Sequence, residues 1–213
     1  MRSGSIFRLA LFVFLVTIAG FGQTAPDPWL ILAGGEAGSI NAHTTREDLV
    51  HAYGASNIID QKVVVGEGDM EIATVVFPND AQRTIRILWK DPDKKTEPSS
   101  ATISGKASRW HAVHGISLGT TLGELQRLNG RPFPVAGYGT DQPGAILSWK
   151  GGLLARELQG DGLVILRLDY TPSKGVPQPD LSLINGNCDE PVLQKLNLYV
   201  REINWEFPSR FEP

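Results

Sequence analysis

Four histidines, His43, His51, His111 and His114, are the first residues to weigh, because imidazole binds metals and carries protons near neutral pH. His111-Ala-Val-His114 has i, i+3 spacing, which on a helix would place two metal ligands on one face. The pair lacks the glutamate of a His-Glu-x-x-His motif and follows Trp110 without a helix-start signal, which favours ordinary surface or packing histidines. Gly66-Glu67-Gly68-Asp69-Met70-Glu71 spaces three carboxylates two apart. On a strand they would share one face, and oxygen ligands suit calcium. The spacing is not that of a calcium loop, so a charged turn protecting a sheet edge is the simpler reading.

Nucleophilic chemistry finds less support. No Ser, His and Asp occur in a recognisable order, although a triad is assembled in space rather than in sequence. The glycine-rich run from Gly137 to Gly144 is neither a Walker loop nor a dinucleotide fingerprint and reads as a turn between strands. Within it, Tyr138 and Asp141 are placed to face a ligand. Cys188 is the only cysteine, so no disulfide forms within the chain. No basic residue or histidine adjoins it in Asn185-Gly186-Asn187-Cys188-Asp189, which favours a buried, inert thiol over an intermolecular bridge. Among the tryptophans, Trp89 and Trp205 fall in strand-like runs and read as core. Trp110 and Trp149, flanked by polar or glycine residues, are the better candidates for an exposed recognition face, joined by Tyr138 and Asp141.

The composition narrows the setting. The 213 residues are 41% hydrophobic and 20% charged, which fits a globular body and excludes wholesale disorder. A net charge of −3 leaves no electrostatic footprint for nucleic acid. Residues 1–22 read as a signal peptide: Arg2 and Arg8 precede the uncharged run Leu9 to Phe21, with small residues Gly20 and Gly22 before the cut. Thirteen apolar residues are too few to span a bilayer, which needs about 20, so no stable membrane span is expected after cleavage. Losing both arginines leaves 23 acidic residues against about 18 basic ones, an acidic mature chain expected to be periplasmic or secreted.

The elements that must position these residues read as a plan used twice. Shifting the chain by 76 residues lays Ile40 to Gly54 over Ile116 to Gly130, sharing Ile-x-x-x-Thr-Thr-x-x-acid-Leu-x-x-x-x-Gly. Thr45 and Thr121 can cap a helix, Asp48 and Glu124 can return a bond to the cap, and Gly54 and Gly130 can end it in a left-handed turn. Strand-like runs follow each helix: Glu71 to Phe77 and Arg83 to Trp89, then Ala145 to Trp149, Leu163 to Tyr170 and Leu198 to Phe207. Arg86 lies on the face opposite Ile85, Ile87 and Trp89, and Arg167 and Asp169 lie opposite Leu166, Leu168 and Tyr170. Lys90 to Ser100 reads as an exposed connection and Thr171 to Asp180 as a Pro-rich loop. The expected fold is α+β: a repeat over 23–95 and another over 96–213, each a short capped helix followed by antiparallel strands, with one sheet shared between them.

The run Gly115-Ile-x-Leu-Gly-Thr-Thr, the closing glycine and the tandem use of helix plus small antiparallel sheet resemble a known superfamily. It contains the secreted β-lactamase inhibitor proteins and the small lipoproteins of bacterial outer-membrane assembly. Gly119 to Phe133, Gly137-Tyr138-Gly139 and Ser148 to Gly152 also look like exported bacterial proteins of unassigned role. The chain departs from both named groups, with no lipidated N-terminal cysteine and no disulfide pair. The resemblance implies a non-enzymatic binding module that presents a sheet face to a protein partner in the envelope or outside the cell, with no cofactor. A secreted hydrolase or metal-dependent enzyme is the alternative, using His111, His114 or the acids near Asp69.

Overall fold

The computed structural model describes residues 27–66, 68–105, 107–160, 162–172 and 186–208. The expected signal at 1–22, Glu67 of the acidic turn, Asn185 and most of the Pro-rich loop lie outside the described residues. In chain order the elements are β1 (Leu30–Leu32), β2 (Glu36–Ala37), α1 (Arg46–Tyr53), β3 (Ile58–Gly66), β4 (Asp69–Val76), β5 (Ile85–Trp89) and β6 (Pro98–Ser104). There follow β7 (His111–Ala112), α2 (Leu122–Asn129), β8 (Pro134–Val135), β9 (Ala145–Ile146), α3 (Leu153–Leu158), β10 (Leu163–Tyr170), β11 (Gly186–Asn187), α4 (Pro191–Gln194) and β12 (Leu198–Glu206).

Both expected helices form where their caps place them. The Thr45 hydroxyl accepts the Asp48 backbone N–H at 3.0 Å, and the Asp48 carboxylate accepts the Thr45 N–H at 2.9 Å. Thr121 and Glu124 repeat this exchange at 3.3 and 2.8 Å, so each helix satisfies two of its orphan donors reciprocally. Gly130 ends α2 in the left-handed conformation. Gly54 ends α1 with φ of 85° but an extended ψ of 141°, feeding a short 3-10 turn instead.

One antiparallel seven-stranded sheet, in the order β3-β4-β5-β6-β12-β10-β9, draws strands from both sides of the residue 95/96 boundary. Lys90 to Ser100 departs from the sequence expectation. Only its first part is a turn; Pro98 to Ser100 already belongs to β6, which lies between β5 and β12 in the middle of the sheet. Small polar residues hid this strand, because a centre strand whose outer face is Ser and Thr carries little hydrophobic signal. The edge strand β3 was likewise unmarked, and Ala145 to Trp149 keeps only two residues of strand, with Trp149 turning toward α3.

Alternation decides the two faces of the sheet. Ile85, Ile87, Trp89, Ala101, Ile103, Val164, Leu166, Leu168, Ile203 and Trp205 point inward and join one hydrophobic core with Leu49 of α1, Leu125 of α2 and Leu154 and Leu158 of α3. Burial of this kind stabilises by about 25 cal/mol per Å² of apolar surface and is the main force holding helices to sheet. Val63, Ala73, Val75 and Ile165 are also buried but belong to no part of that core, because they lie on the opposite, outer face. The helices α1 to α3 all pack on the inner face.

Candidate functional site

The structure separates the four residues singled out as a recognition face. Trp110 is 2% exposed and Trp149 is 0% exposed, so neither presents its ring to solvent, and this corrects the expected exposed patch. The polar neighbours at each position turn the chain at the surface while the rings point inward. The Trp110 indole donates to the Arg83 carbonyl at 3.0 Å, and its ring meets Trp29 edge to face at 5.1 Å. It forms part of the wall of a cavity of about 420 Å³ with Trp29, Tyr53, Phe77 and Arg83. Trp149 packs edge to face on Phe133 at 4.8 Å. Trp89 and Trp205 are core residues, in agreement with the strand reading.

Tyr138 and Asp141 share the loop between β8 and β9. Asp141 is exposed beside a cavity of about 360 Å³ lined also by Pro134, Ala136, Gln142 and Leu147. Tyr138 is half-buried: its hydroxyl donates to the Leu168 carbonyl at 3.1 Å, and its ring lies 6.1 Å from that of Tyr170. Burial pushes the Tyr138 phenol well above its ordinary range; the nearby Asp169 carboxylate adds to this and the Arg201 guanidinium opposes it.

The histidines do not converge. His111 lies in β7 and its Nε2 meets the Asp27 carboxylate at 3.0 Å. His114 has a left-handed backbone, φ 57°, and its Nε2 meets Glu157 of α3 at 2.6 Å. The i, i+3 face expected of a helix is therefore absent at this pair. Asp69 and Glu71 are exposed at the start of β4, and among the described residues no group of three His, Cys, Asp or Glu side chains is arranged to hold a metal. Cys188 is fully buried, and its sulfur accepts the Phe133 N–H and the Gln126 amide, both at 3.3 Å.

What the sequence reading placed only by alternation, the register brings together. Arg167 of β10 lies directly opposite Glu202 of β12, and Arg86 of β5 lies opposite Thr102 of β6. On the outer face the Glu202 carboxylate receives Arg167 Nε at 3.2 Å and faces Arg86 Nη2 at 3.8 Å. The irregularity in the β10–β12 register leaves Arg201 without an opposite residue. Such a bulge allows two consecutive residues, Arg201 and Glu202, to lie between the inward-facing Val200 and Ile203. Arg201 and Asn204 complete a groove of about 200 Å³ with Val63, Leu88 and Thr102. The Asn204 Oδ1 is buried and has no hydrogen-bond partner among the described residues.

With three arginines and one glutamate in its lining, this groove is locally cationic on a chain whose net charge is negative. It can bind an anionic group by bidentate hydrogen bonds, since an arginine fork matches a carboxylate. Arginines at alternating positions of otherwise apolar strands were the signal available in the sequence; their partner Glu202, far along the chain, was not. Comparison of this chain with family models, with curated proteins and with solved structures gives no match.

Proposed function

We propose that this chain is an exported, non-enzymatic binding module that presents the outer face of its seven-stranded sheet to a protein partner in the envelope or outside the cell. The observation that carries the reading is the Arg86–Glu202–Arg167 row with Arg201 and Asn204 beside it, the Asn204 Oδ1 having no partner among the described residues, on the face away from the helices. The partner's contribution is an acidic segment, because three arginines outnumber the single glutamate and complementary charge steers association and fixes register. Two capped helices, each followed in the chain by strands of one sheet, support reading the body as one plan made twice. The resemblance of that plan to inhibitor and assembly proteins supports binding over catalysis.

Capture from the exporting cell's envelope fraction tests this, with the mature chain and its Arg201→Glu variant as matched baits. A partner retained by the first, released by salt and lost with the variant is the expected result. Equal recovery on both baits would remove the groove from the interface.

A further inference from the structure

The free edge of the large sheet is β3. Its partner β4 pairs along one side, and among the described residues no strand pairs along the other. Nine residues of strand run about 30 Å, long for an edge that natural proteins usually keep short or guard with proline and charge. Here the sequence is Ile58-Ile59-Asp60-Gln61-Lys62-Val63-Val64-Val65-Gly66, without proline. Val64 is 64% exposed, and Ile59 and Val65 are exposed with it. Lys62 is exposed and has no ion pair among the described residues.

We propose that β3 pairs with β3 of a second copy, antiparallel about a two-fold axis at Gln61, joining two seven-stranded sheets edge to edge. An axis normal to the sheet requires one residue to lie opposite its own copy, because opposed residues of an antiparallel pair share a face. Centred on Gln61, Ile59 meets Val63, Ile58 meets Val64, and Asp60 meets Lys62, each twice. Centred on Asp60 or Lys62, like charges lie directly opposite each other, which destabilises an antiparallel pair. Centred on Ile59 or Val63, a charged residue opposes an aliphatic one. Asp60 already receives Arg46 and Lys95, so its attraction for the second copy's lysine is modest. The aliphatic matches, and the separation of Lys62 from its own copy, set the register. Pairing covers the exposed valines and satisfies the open row of backbone groups. Val63, Val64 and Val65 also form one wall of the arginine groove, but the pairing is read from the oligomeric state and does not rest on the binding function proposed above.

Cysteine crosslinking reads this register directly. Opposed residues in an antiparallel pair have Cα atoms about 4.5–5.5 Å apart, within disulfide reach. Under mild oxidation Gln61→Cys gives a covalent dimer, whereas Ile59→Cys, whose two copies would stand about 14 Å apart, does not. Cys188 is buried and adds no background. In sedimentation the unmodified chain runs as a dimer, and Val64→Lys, exposed and hence tolerable to the fold, runs as a monomer with unchanged circular dichroism. A monomeric unmodified chain, a dimer that survives Val64→Lys, or equal crosslinking of the two cysteine variants would overturn the proposal.

Discussion

The indole N–H of Trp89 donates to the hydroxyl of Thr74 at 2.9 Å, and Thr74 in turn donates to the carboxylate of Asp60 at 2.7 Å. The relay crosses three strands, since Asp60 lies opposite Thr74 on β3 and β4, and β5 carries Trp89. Thr74 is fully buried. Its replacement by valine keeps the shape but leaves the Trp89 donor unpaired in the core. The expected cost is about 1–3 kcal/mol, read from urea unfolding. An unchanged midpoint would show that the indole finds another acceptor.

Asp60 also gives the molecule an acid limit. Burial pushes its carboxyl up, but the hydrogen bonds from Lys95, Thr74 and Arg46 outweigh this and hold it below the ordinary 3.8. A depressed carboxylate stabilises the fold above its unfolded value, and that contribution is lost as pH falls through the lower, folded one. The melting temperature therefore drops as pH is lowered below about 4, and Asp60→Asn flattens that descent while lowering stability at neutral pH. Identical pH profiles for the two chains would remove Asp60 as a source of the slope.

The two capping boxes are equivalent in chemistry, and their loss is expected to be alike. Thr45→Ala and Thr121→Ala each cost about 1 kcal/mol. The sites cap different helices and share no hydrogen bond, so the double variant should show the sum within about 0.5 kcal/mol. Thermal or denaturant melts of the four chains check both statements.

Asn129, buried at the end of α2, ties that helix to the start of α3. Its amide donates to the carbonyls of Arg131 at 2.8 Å and Trp149 at 3.1 Å, and its oxygen accepts the Leu154 N–H at 3.3 Å. A Cβ at position 152 would collide with this side chain, so glycine is required there for space, its φ of −70° being open to any residue. Gly152→Ala is expected to cost about 1–3 kcal/mol by overpacking. Asn129→Ala is expected to cost a similar amount, about 1–3 kcal/mol, by orphaning the groups it serves. A near-neutral effect of either would mean that the α2–α3 junction yields easily.

Cys188 should resist modification while the chain is folded. Its sulfur is buried and occupied by two hydrogen-bond donors. Reaction with a thiol reagent is expected only under denaturing conditions, with one thiol counted per chain. Rapid labelling of the folded chain would show that the loop before α4 opens.

The sequence by itself determined the parts whose physics is local. Thr45 with Asp48 and Thr121 with Glu124 lie within one helical turn of each other, so their spacing alone specifies a cap. The alternation of Ile85, Ile87 and Trp89 around Arg86 fixes which side of a strand is dry. Tertiary structure decided what depends on register and on strands meeting from distant parts of the chain. β6 became a centre strand because β5 and β12 close on either side of it, although Ser99, Ser100 and Thr102 advertise nothing apolar. Trp110 and Trp149 went inward because a residue's neighbours in sequence say where the backbone surfaces, while the ring follows the cavity available to it. The arginine groove belongs wholly to this second kind: Arg86, Arg167 and Glu202 lie far apart in the chain, and only the pairing of β5, β6, β12 and β10 brings them to one face.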